Sequence, residues 1–141
     1  NNSPIYFATT LNQVDCDGGY TGMTQSEFTK ILAREAAEIN YTGPYVVAID
    51  HGGPWLKDKQ TIEKYTLEQA MDGVKKSYEA AILAGYDLIH VDPTVDITLP
   101  KGENNENLNL AIELHADMMT DAVIPDNEIG ETPSALVKLS S

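Results

Sequence analysis

One pattern repeats three times in this sequence: an apolar run typical of a β-strand, a short polar cluster, and a segment with helical spacing of apolar residues. The strand-like runs are residues 5–8, 45–49 and 88–91. Strands that alternate with helices predict βαβ units, and therefore a parallel sheet in an α/β fold. The carboxyl ends of parallel strands lie at one edge, where ligands bind. We therefore expect the polar clusters to meet at one site.

Two helices have clear start signals. Thr24 and Glu27 have the spacing of a capping box, and so do Thr66 and Gln69. Apolar residues at helical spacing follow each box. The first helix is expected to end at the turn-forming residues 40–44, and the second at about residue 84, before a glycine.

A third helical pattern covers residues 105–121. Residues 123–141 form a weakly patterned tail, in which 128–130 resemble the start of a strand and 134–141 are expected to be irregular. The 141 residues fit a single α/β domain, which we expect to be a fragment or a partial barrel because three βα units do not close one.

Composition excludes several kinds of partner. The net charge is −13, so a nucleic acid or an anionic membrane surface is not expected to bind. No apolar stretch approaches the roughly 18 residues that span a bilayer. A single cysteine, Cys16, excludes an internal disulfide and agrees with a reducing compartment, so we expect a cytoplasmic protein.

The chemistry-bearing residues of the second and third units are Asp50, His51, His90 and Asp92. Neighbouring strand residues point to opposite sides, whereas His90 and Asp92 are two apart and leave the same face. Two histidines and two carboxylates can hold a divalent cation with an open position, or act as acid and base on a carbon skeleton. The alternative is a structural pair that caps strands and braces loops.

The first unit ends in Asn12, Gln13 and a glycine-rich segment that contains Gly18, Gly19 and Tyr20. Backbone N–H groups in such a loop can cradle an anion. The alternative is a tight connection in which the glycines supply positive φ angles. The glycine spacing fits neither a Walker loop nor a dinucleotide-binding fingerprint.

Nucleophilic catalysis by cysteine or lysine is not expected. Cys16 lies between two aspartates, which raise the pKa of a thiol. Lys57, Lys59 and Lys64 lie in a polar loop rather than at a desolvated strand end, which argues against Schiff-base chemistry.

Four motifs occur in the order and spacing of a known family: Asn-Gln at 12–13, Gly-Gly-Tyr-Thr-Gly-Met at 18–23, Asp-His-x-Gly-Pro at 50–54 and Ile-His-Val-Asp at 89–92. They resemble the non-catalytic subunit family of class II D-tagatose-1,6-bisphosphate aldolase, a group also described as tagatose 6-phosphate kinase-like. The resemblance implies a (β/α)₈ TIM barrel, of which this chain corresponds to about strands 2 to 5.

The resemblance also implies a role in sugar-phosphate metabolism, in support of a catalytic aldolase subunit that cleaves tagatose 1,6-bisphosphate to triose phosphates. Asp50 and His51 resemble the proton-transfer aspartate and the zinc-ligand histidine of catalytic class II aldolases, so zinc is the expected metal. The candidate residues are Asp50 and Asp92 for catalysis, His51 and His90 for metal, and Asn12, Gln13, Gly18, Gly19, Tyr20 and His90 for substrate.

Two alternative functions stay open because the resemblance implies different roles for different members of the family, and the departures of this sequence from the family pattern leave the substrate open. Gly52 stands where leucine is usual, and Trp55 stands where asparagine is usual. The alternatives are a metal-dependent sugar or sugar-acid epimerase and a non-enzymatic partner subunit that stabilises the aldolase. An oligomer or a partner is expected in either case, since an open part of a barrel exposes sheet edges.

Overall fold

A computed structural model of the chain describes residues 3–95, Ile97 and the strand Leu136–Leu139. The elements are β1 (Ile5–Thr9), a 3₁₀ turn (Gly19–Thr21), α1 (Gln25–Glu38), β2 (Tyr45–Gly52), α2 (Asp58–Ile62), α3 (Leu67–Leu83), β3 (Leu88–Val91) and β4 (Leu136–Leu139). The helix predicted at 105–121 and the strand start predicted at 128–130 lie outside the described residues. Within the described residues, no helix is long and apolar enough to cross a bilayer.

The four strands form one parallel sheet in the order β1-β2-β3-β4. Strands that are parallel and adjacent in chain order are the arrangement found in a segment of a TIM-type barrel. The structure therefore confirms the mixed α/β class with a parallel sheet, and it is compatible with part of a barrel. The irregular chain predicted for 134–141 is wrong for Leu136–Leu139, where pairing with β3 supplies order that the local pattern does not signal.

Both predicted capping boxes are present and fix where the long helices begin. The Thr24 hydroxyl accepts from the Glu27 N–H while the Glu27 carboxylate accepts from the Thr24 N–H, and Thr66 and Gln69 repeat this arrangement at α3. Gly85 follows α3 with φ 83°, the left-handed conformation that glycine adopts without steric cost. These local signals place α1 directly after the loop that carries the first candidate residues, and α3 after the connection that follows β2.

The hydrophobic core lies between the sheet and α3. From the strands it takes alternate residues, as expected for one face of a pleated sheet. The buried cluster consists of Leu11, Val47, Ile49, Met71, Val74, Tyr78, Ala81, Tyr86, Ile89 and Val91. On the opposite face, Tyr6 is 56% exposed and Val46 is 37% exposed. We call this opposite side the open face.

Candidate functional site

Strand β2 carries a β-bulge at its carboxyl end. Pairing with β3 is regular up to Ile49 and resumes at Gly52, so Asp50 and His51 together oppose the single residue His90. An extra residue in one strand re-aims the side chains beside it. His51 has φ 53°, a left-handed conformation that is uncommon outside glycine. The bulge (residues 50–52) therefore brings two neighbours to the same partner, although a regular strand would point them to opposite sides.

Asp50, His51 and His90 form a three-residue group, which we call the Asp–His cluster. Each offers one ligand atom, and the three atoms lie within 4.8 Å of one another. Asp50 Oδ1 lies 3.4 Å from His90 Nδ1 and 3.9 Å from His51 Nε2. Neighbouring ligand atoms in a tetrahedral zinc site lie about 3.4 Å apart, given bonds of about 2.1 Å. The distance between Asp50 and His90 matches this spacing, and the distance between Asp50 and His51 is about 0.5 Å longer.

The imidazole of His51 is held from behind by Asp92. Its Nδ1 lies 2.5 Å from Asp92 Oδ2, and the Asp92 side chain is 4% exposed while that of His51 is 56% exposed. Because a carboxylate accepts, Nδ1 carries the proton, and in the neutral form of the imidazole the lone pair is on Nε2. A carboxylate behind Nδ1 is the usual support of a histidine that binds metal through Nε2.

The electrostatics of this pair favour the charged forms. The hydrogen bond to Asp92 raises the pKa of His51; burial opposes this shift, and the charge of Asp50 adds to it. For Asp92, burial acts to raise the pKa, but hydrogen bonds from Thr94 and His51 outweigh burial and lower it overall. Asp92 therefore accepts hydrogen bonds as a carboxylate behind His51. Its predicted catalytic role stays a prediction.

In the first loop (residues 10–24), Asn12 and Gln13 bind other parts of the chain. The Asn12 amide donates to the Leu56 carbonyl and to Asp58 Oδ1, both at 3.2 Å, and its oxygen accepts from the Asp58 N–H at 2.8 Å. Gln13 Oε1 accepts from the Thr10 N–H at 2.8 Å. These contacts attach the first loop to the start of α2. Substrate binding by the two amides stays a prediction.

The glycine-rich segment of the first loop is closed by its own hydrogen bonds. The N–H groups of Gly18, Gly19 and Tyr20 donate to oxygen atoms within residues 12–17 at 2.7–3.2 Å. Gly19 has φ 52°, and a Cβ there would lie 2.5 Å from the Gln13 carbonyl oxygen. The geometry favours the tight connection over the anion cradle, because these donors already have acceptors. Binding of substrate at Gly18, Gly19 and Tyr20 stays a prediction.

Lys57, the residue just before α2, also contacts the first loop. Its Nζ lies 2.5 Å from Asp15 Oδ2 and 2.7 Å from Asp17 Oδ1, and its side chain is 13% exposed. Burial acts to lower the pKa of Lys57, but the two carboxylates raise it overall. The amine therefore stays protonated and non-nucleophilic, and its contacts give Lys57 a structural role.

Comparison with known proteins assigns the family. The model of the family described as D-tagatose-1,6-bisphosphate aldolase subunit GatZ/KbaZ-like matches residues 1–121. The chain belongs to this family. This confirms the resemblance seen in the sequence and relates the GatZ/KbaZ-like chain to tagatose-bisphosphate aldolase and carbohydrate metabolism.

A solved structure of the same family supports this assignment. The crystal structure of a probable tagatose 6 phosphate kinase from Sinorhizobium meliloti 1021 is similar to this chain with a TM-score of 0.65 and 28% sequence identity. The match covers 87% of this chain and 31% of that protein. The GatZ/KbaZ-like chain described here therefore spans about a third of the length of that relative.

Two tyrosines near the cluster were missed by the sequence analysis. Tyr6 lies on the open face, where burial and the charge of Asp50 raise the pKa of its hydroxyl. Tyr78 lies on α3, and its hydroxyl donates to the Gly52 carbonyl. Tyr78 has the helical spacing of a core residue, and no local signal in the sequence reveals that its hydroxyl reaches the bulge. For Tyr6, the signal available in the sequence was that alternate strand residues point to opposite faces of the sheet.

Proposed function

We propose that this chain supplies a metal-dependent proton-transfer site to a subunit of the tagatose-bisphosphate aldolase type that acts on sugar phosphates. The observation that carries the proposal is the bulge, which gathers Asp50, His51 and His90 at the carboxyl edge of a parallel sheet. That edge is where α/β proteins of this kind bind ligands. Family membership supports the substrate class, tagatose 1,6-bisphosphate and related sugar phosphates.

The donor set fits a divalent metal. We assign His51 and His90 as its protein ligands, with Asp50 beside them, and two imidazole nitrogens with an open position suit zinc. When bound, such a cation polarises a substrate oxygen and stabilises negative charge that develops there. Asp92 serves the site by fixing which nitrogen of His51 is free.

Asp50 is the candidate proton-transfer residue. Its side chain is half-exposed beside both histidines, so it is accessible to a substrate at the mouth of the sheet. In aldol cleavage, a base accepts the proton of the hydroxyl group next to the carbon–carbon bond that breaks. The carboxylate of Asp50 can take this proton as the carbon–carbon bond breaks and the aldehyde forms, and can then give it to the enediolate carbon that remains. Epimerisation by abstraction of a proton beside a polarised oxygen would use the same carboxylate.

A second candidate function is that of a non-enzymatic partner that stabilises a catalytic aldolase subunit. Two observations favour it. The open face exposes Tyr6 and Val46, and exposed apolar surface of this kind marks interaction sites. In addition, the polar groups predicted to bind substrate in the first loop are used in hydrogen bonds to the chain itself.

The test is an assay for cleavage and epimerisation of tagatose 1,6-bisphosphate, with zinc, using the wild type, Asp50→Asn and Asp72→Asn. Asp72 is an exposed aspartate on α3 and serves as the control. Turnover that is lost in Asp50→Asn and kept in Asp72→Asn supports the catalytic proposal, and the product distinguishes cleavage from epimerisation.

The same preparations are also added to a catalytic class II tagatose-bisphosphate aldolase subunit. If the chain turns over nothing alone but raises the activity or thermal stability of that subunit equally well with Asp50→Asn, the stabilising function is supported instead. Absence of turnover and of any effect on the subunit would contradict both candidates.

A further inference from the structure

The carbonyl group of Gly52 is the point where the bulge ends and regular pairing resumes. It accepts two hydrogen bonds, one from the Asp92 N–H at 2.9 Å and one from the hydroxyl of Tyr78. The Tyr78 side chain is buried against the sheet. This carbonyl is therefore fixed from two sides at once, by the residue that follows β3 and by α3.

The space around Gly52 is tightly filled. A Cβ at Gly52 would lie 2.9 Å from Cε1 of Tyr78 and 3.0 Å from the His90 carbonyl oxygen. The next residue, Gly53, lies so close to the Asp92 carbonyl that no Cβ fits there. The chain after His51 is consequently pressed between the tyrosine ring and the backbone of residues 90–92.

The backbone that needs this support is that of His51. A non-glycine residue at φ 53° costs free energy and persists only where its surroundings hold it. In this conformation the imidazole reaches Asp92 on one side and lies beside His90 on the other, with ring centroids 5.2 Å apart. Release of the Gly52 carbonyl would allow His51 to leave this conformation.

We propose that Tyr78 is a positioning residue of the Asp–His cluster, and that its hydroxyl fixes the bulge that aims His51 at Asp92 and His90. The hydroxyl of Tyr78 meets the cluster at the Gly52 carbonyl, one residue after His51. The metal-binding consequence rests on the proposed function, whereas the effect on the bulge itself does not.

The experiment compares Tyr78→Phe with Tyr86→Phe in the full chain. Tyr86 is an equally buried tyrosine of the same core, and its hydroxyl pairs with that of Thr9 rather than with the bulge. Both variants remove one buried hydroxyl and keep the ring. Loss of stability that is common to the two therefore reports on the core and not on the bulge.

The first readout uses metal-free protein. In Tyr78→Phe we expect amide exchange of Asp92 to accelerate about tenfold or more beyond any change in global stability, with shifted backbone resonances of His51. In Tyr86→Phe both should match the wild type. Asp92 exchange and His51 resonances that are unchanged in folded Tyr78→Phe would overturn the proposal, whether or not the protein binds metal.

The second readout is the visible spectrum of the Co²⁺ form together with Zn²⁺ affinity. We expect Tyr78→Phe to change the Co²⁺ bands, which report coordination geometry, and to weaken Zn²⁺ binding about tenfold, as is usual for residues that orient metal ligands. Tyr86→Phe should leave both unchanged. A wild type that binds neither ion would contradict the proposed function, and the exchange readout would still decide the role of Tyr78.

If Tyr78→Phe does not fold, Gly52→Ala tests the same contact from the other side. Its added Cβ removes no polar group but presses on the Tyr78 ring and also on the His90 carbonyl oxygen and the Ile49 side chain. Altered Asp92 exchange together with shifted ring resonances of Tyr78 would support the proposal, and exchange identical to that of the wild type would overturn it.

Discussion

The first loop follows β1, and the bulge forms the end of the neighbouring strand β2. Residues of both were predicted to bind ligands, yet the two regions differ in how their polar groups are used. In the first loop, the Asn12 amide and the N–H groups of Gly18 and Gly19 donate to other atoms of the chain. In the bulge, the side chains of Asp50 and His51 are about half exposed to solvent, and Asp50 Oδ1 lies 3.9 Å from His51 Nε2.

Polar residues at strand ends are therefore of two kinds. A group whose hydrogen bonds are complete within the fold stabilises a connection, since binding a ligand would require it to give up those bonds. A group that is held on one side and free on the other is prepared for a ligand. His51, with Nδ1 on Asp92 and Nε2 near Asp50, is of the second kind.

The largest effect is expected for Gly19→Ala in the first loop. The added Cβ would lie 2.5–2.6 Å from carbonyl oxygens of residues 12 and 13, at φ 52°. Overpacking and backbone strain together should lower the free energy of unfolding by at least about 3 kcal/mol in urea titrations. Gly22→Ala is the control: φ is 75° but no atom lies within 4 Å, so the loss should be about 1 kcal/mol. Equal losses would break the claim that the first loop is closed.

The next effect is expected for Lys57→Met, which removes the cation beside the buried Asp15 carboxylate and leaves it only the Cys16 N–H and the Gln25 amide as donors. Breaking a buried ion pair in this way should lower the free energy of unfolding by about 3 kcal/mol. Lys76→Met removes an exposed lysine that pairs with Asp72, and little change is expected. If Lys57→Met is as stable as Lys76→Met, the ion pair does not hold the start of α2 to the first loop.

A moderate effect is expected for Asn12→Ala, which removes three hydrogen bonds to residues 56–58. We predict a loss of about 1–2 kcal/mol in the free energy of unfolding and no change in Zn²⁺ affinity. Gln13→Ala removes one hydrogen bond, to the Thr10 N–H within the first loop, and should cost less. The opposite pattern, full stability with weakened binding of a sugar phosphate, would move Asn12 to the ligand-binding kind.

The smallest effect concerns pH and the bulge. The folded-state pKa of His51 is raised, so its pairing with Asp92 stabilises fully below about pH 6.5 and is lost as pH rises through the folded pKa. The pKa of Asp92 is lowered, so its contribution is present above about pH 3.9 and is lost on acidification. The pair therefore stabilises most near pH 5.

His51→Asn tests this dependence in metal-free protein, because asparagine tolerates the left-handed backbone. The stability difference from the wild type should be larger at pH 5 than at pH 8, by less than about 0.5 kcal/mol because His51 is largely exposed. A difference that grows toward pH 8 would contradict the pairing.

Local signals in the sequence predicted the elements that local interactions determine. The capping boxes at Thr24 and Thr66 and the apolar runs of β1, β2 and β3 are all confirmed. The motifs also indicated the family correctly, because they are specific in order and spacing. The strand β4 was missed, since a four-residue run acquires its order from pairing with a distant strand.

The arrangement of the candidate site was harder to predict because it depends on pairing between strands. The sequence indicated Asp50, His51 and His90 as neighbours of one edge, but the bulge exists only in the register between β2 and β3. The contact between Tyr78 and Gly52 joins residues 26 positions apart. For Asn12 and Gln13, residue type alone did not distinguish a ligand contact from an internal hydrogen bond.

The most direct test of the central claim is calorimetric titration of Zn²⁺ into the wild type, His51→Ala, His90→Ala and Gln13→Ala. We predict one site per chain in the wild type, retained in Gln13→Ala and largely lost in either histidine variant. A wild type that binds no Zn²⁺, or histidine variants that bind as well as the wild type, would contradict a metal site at the bulge.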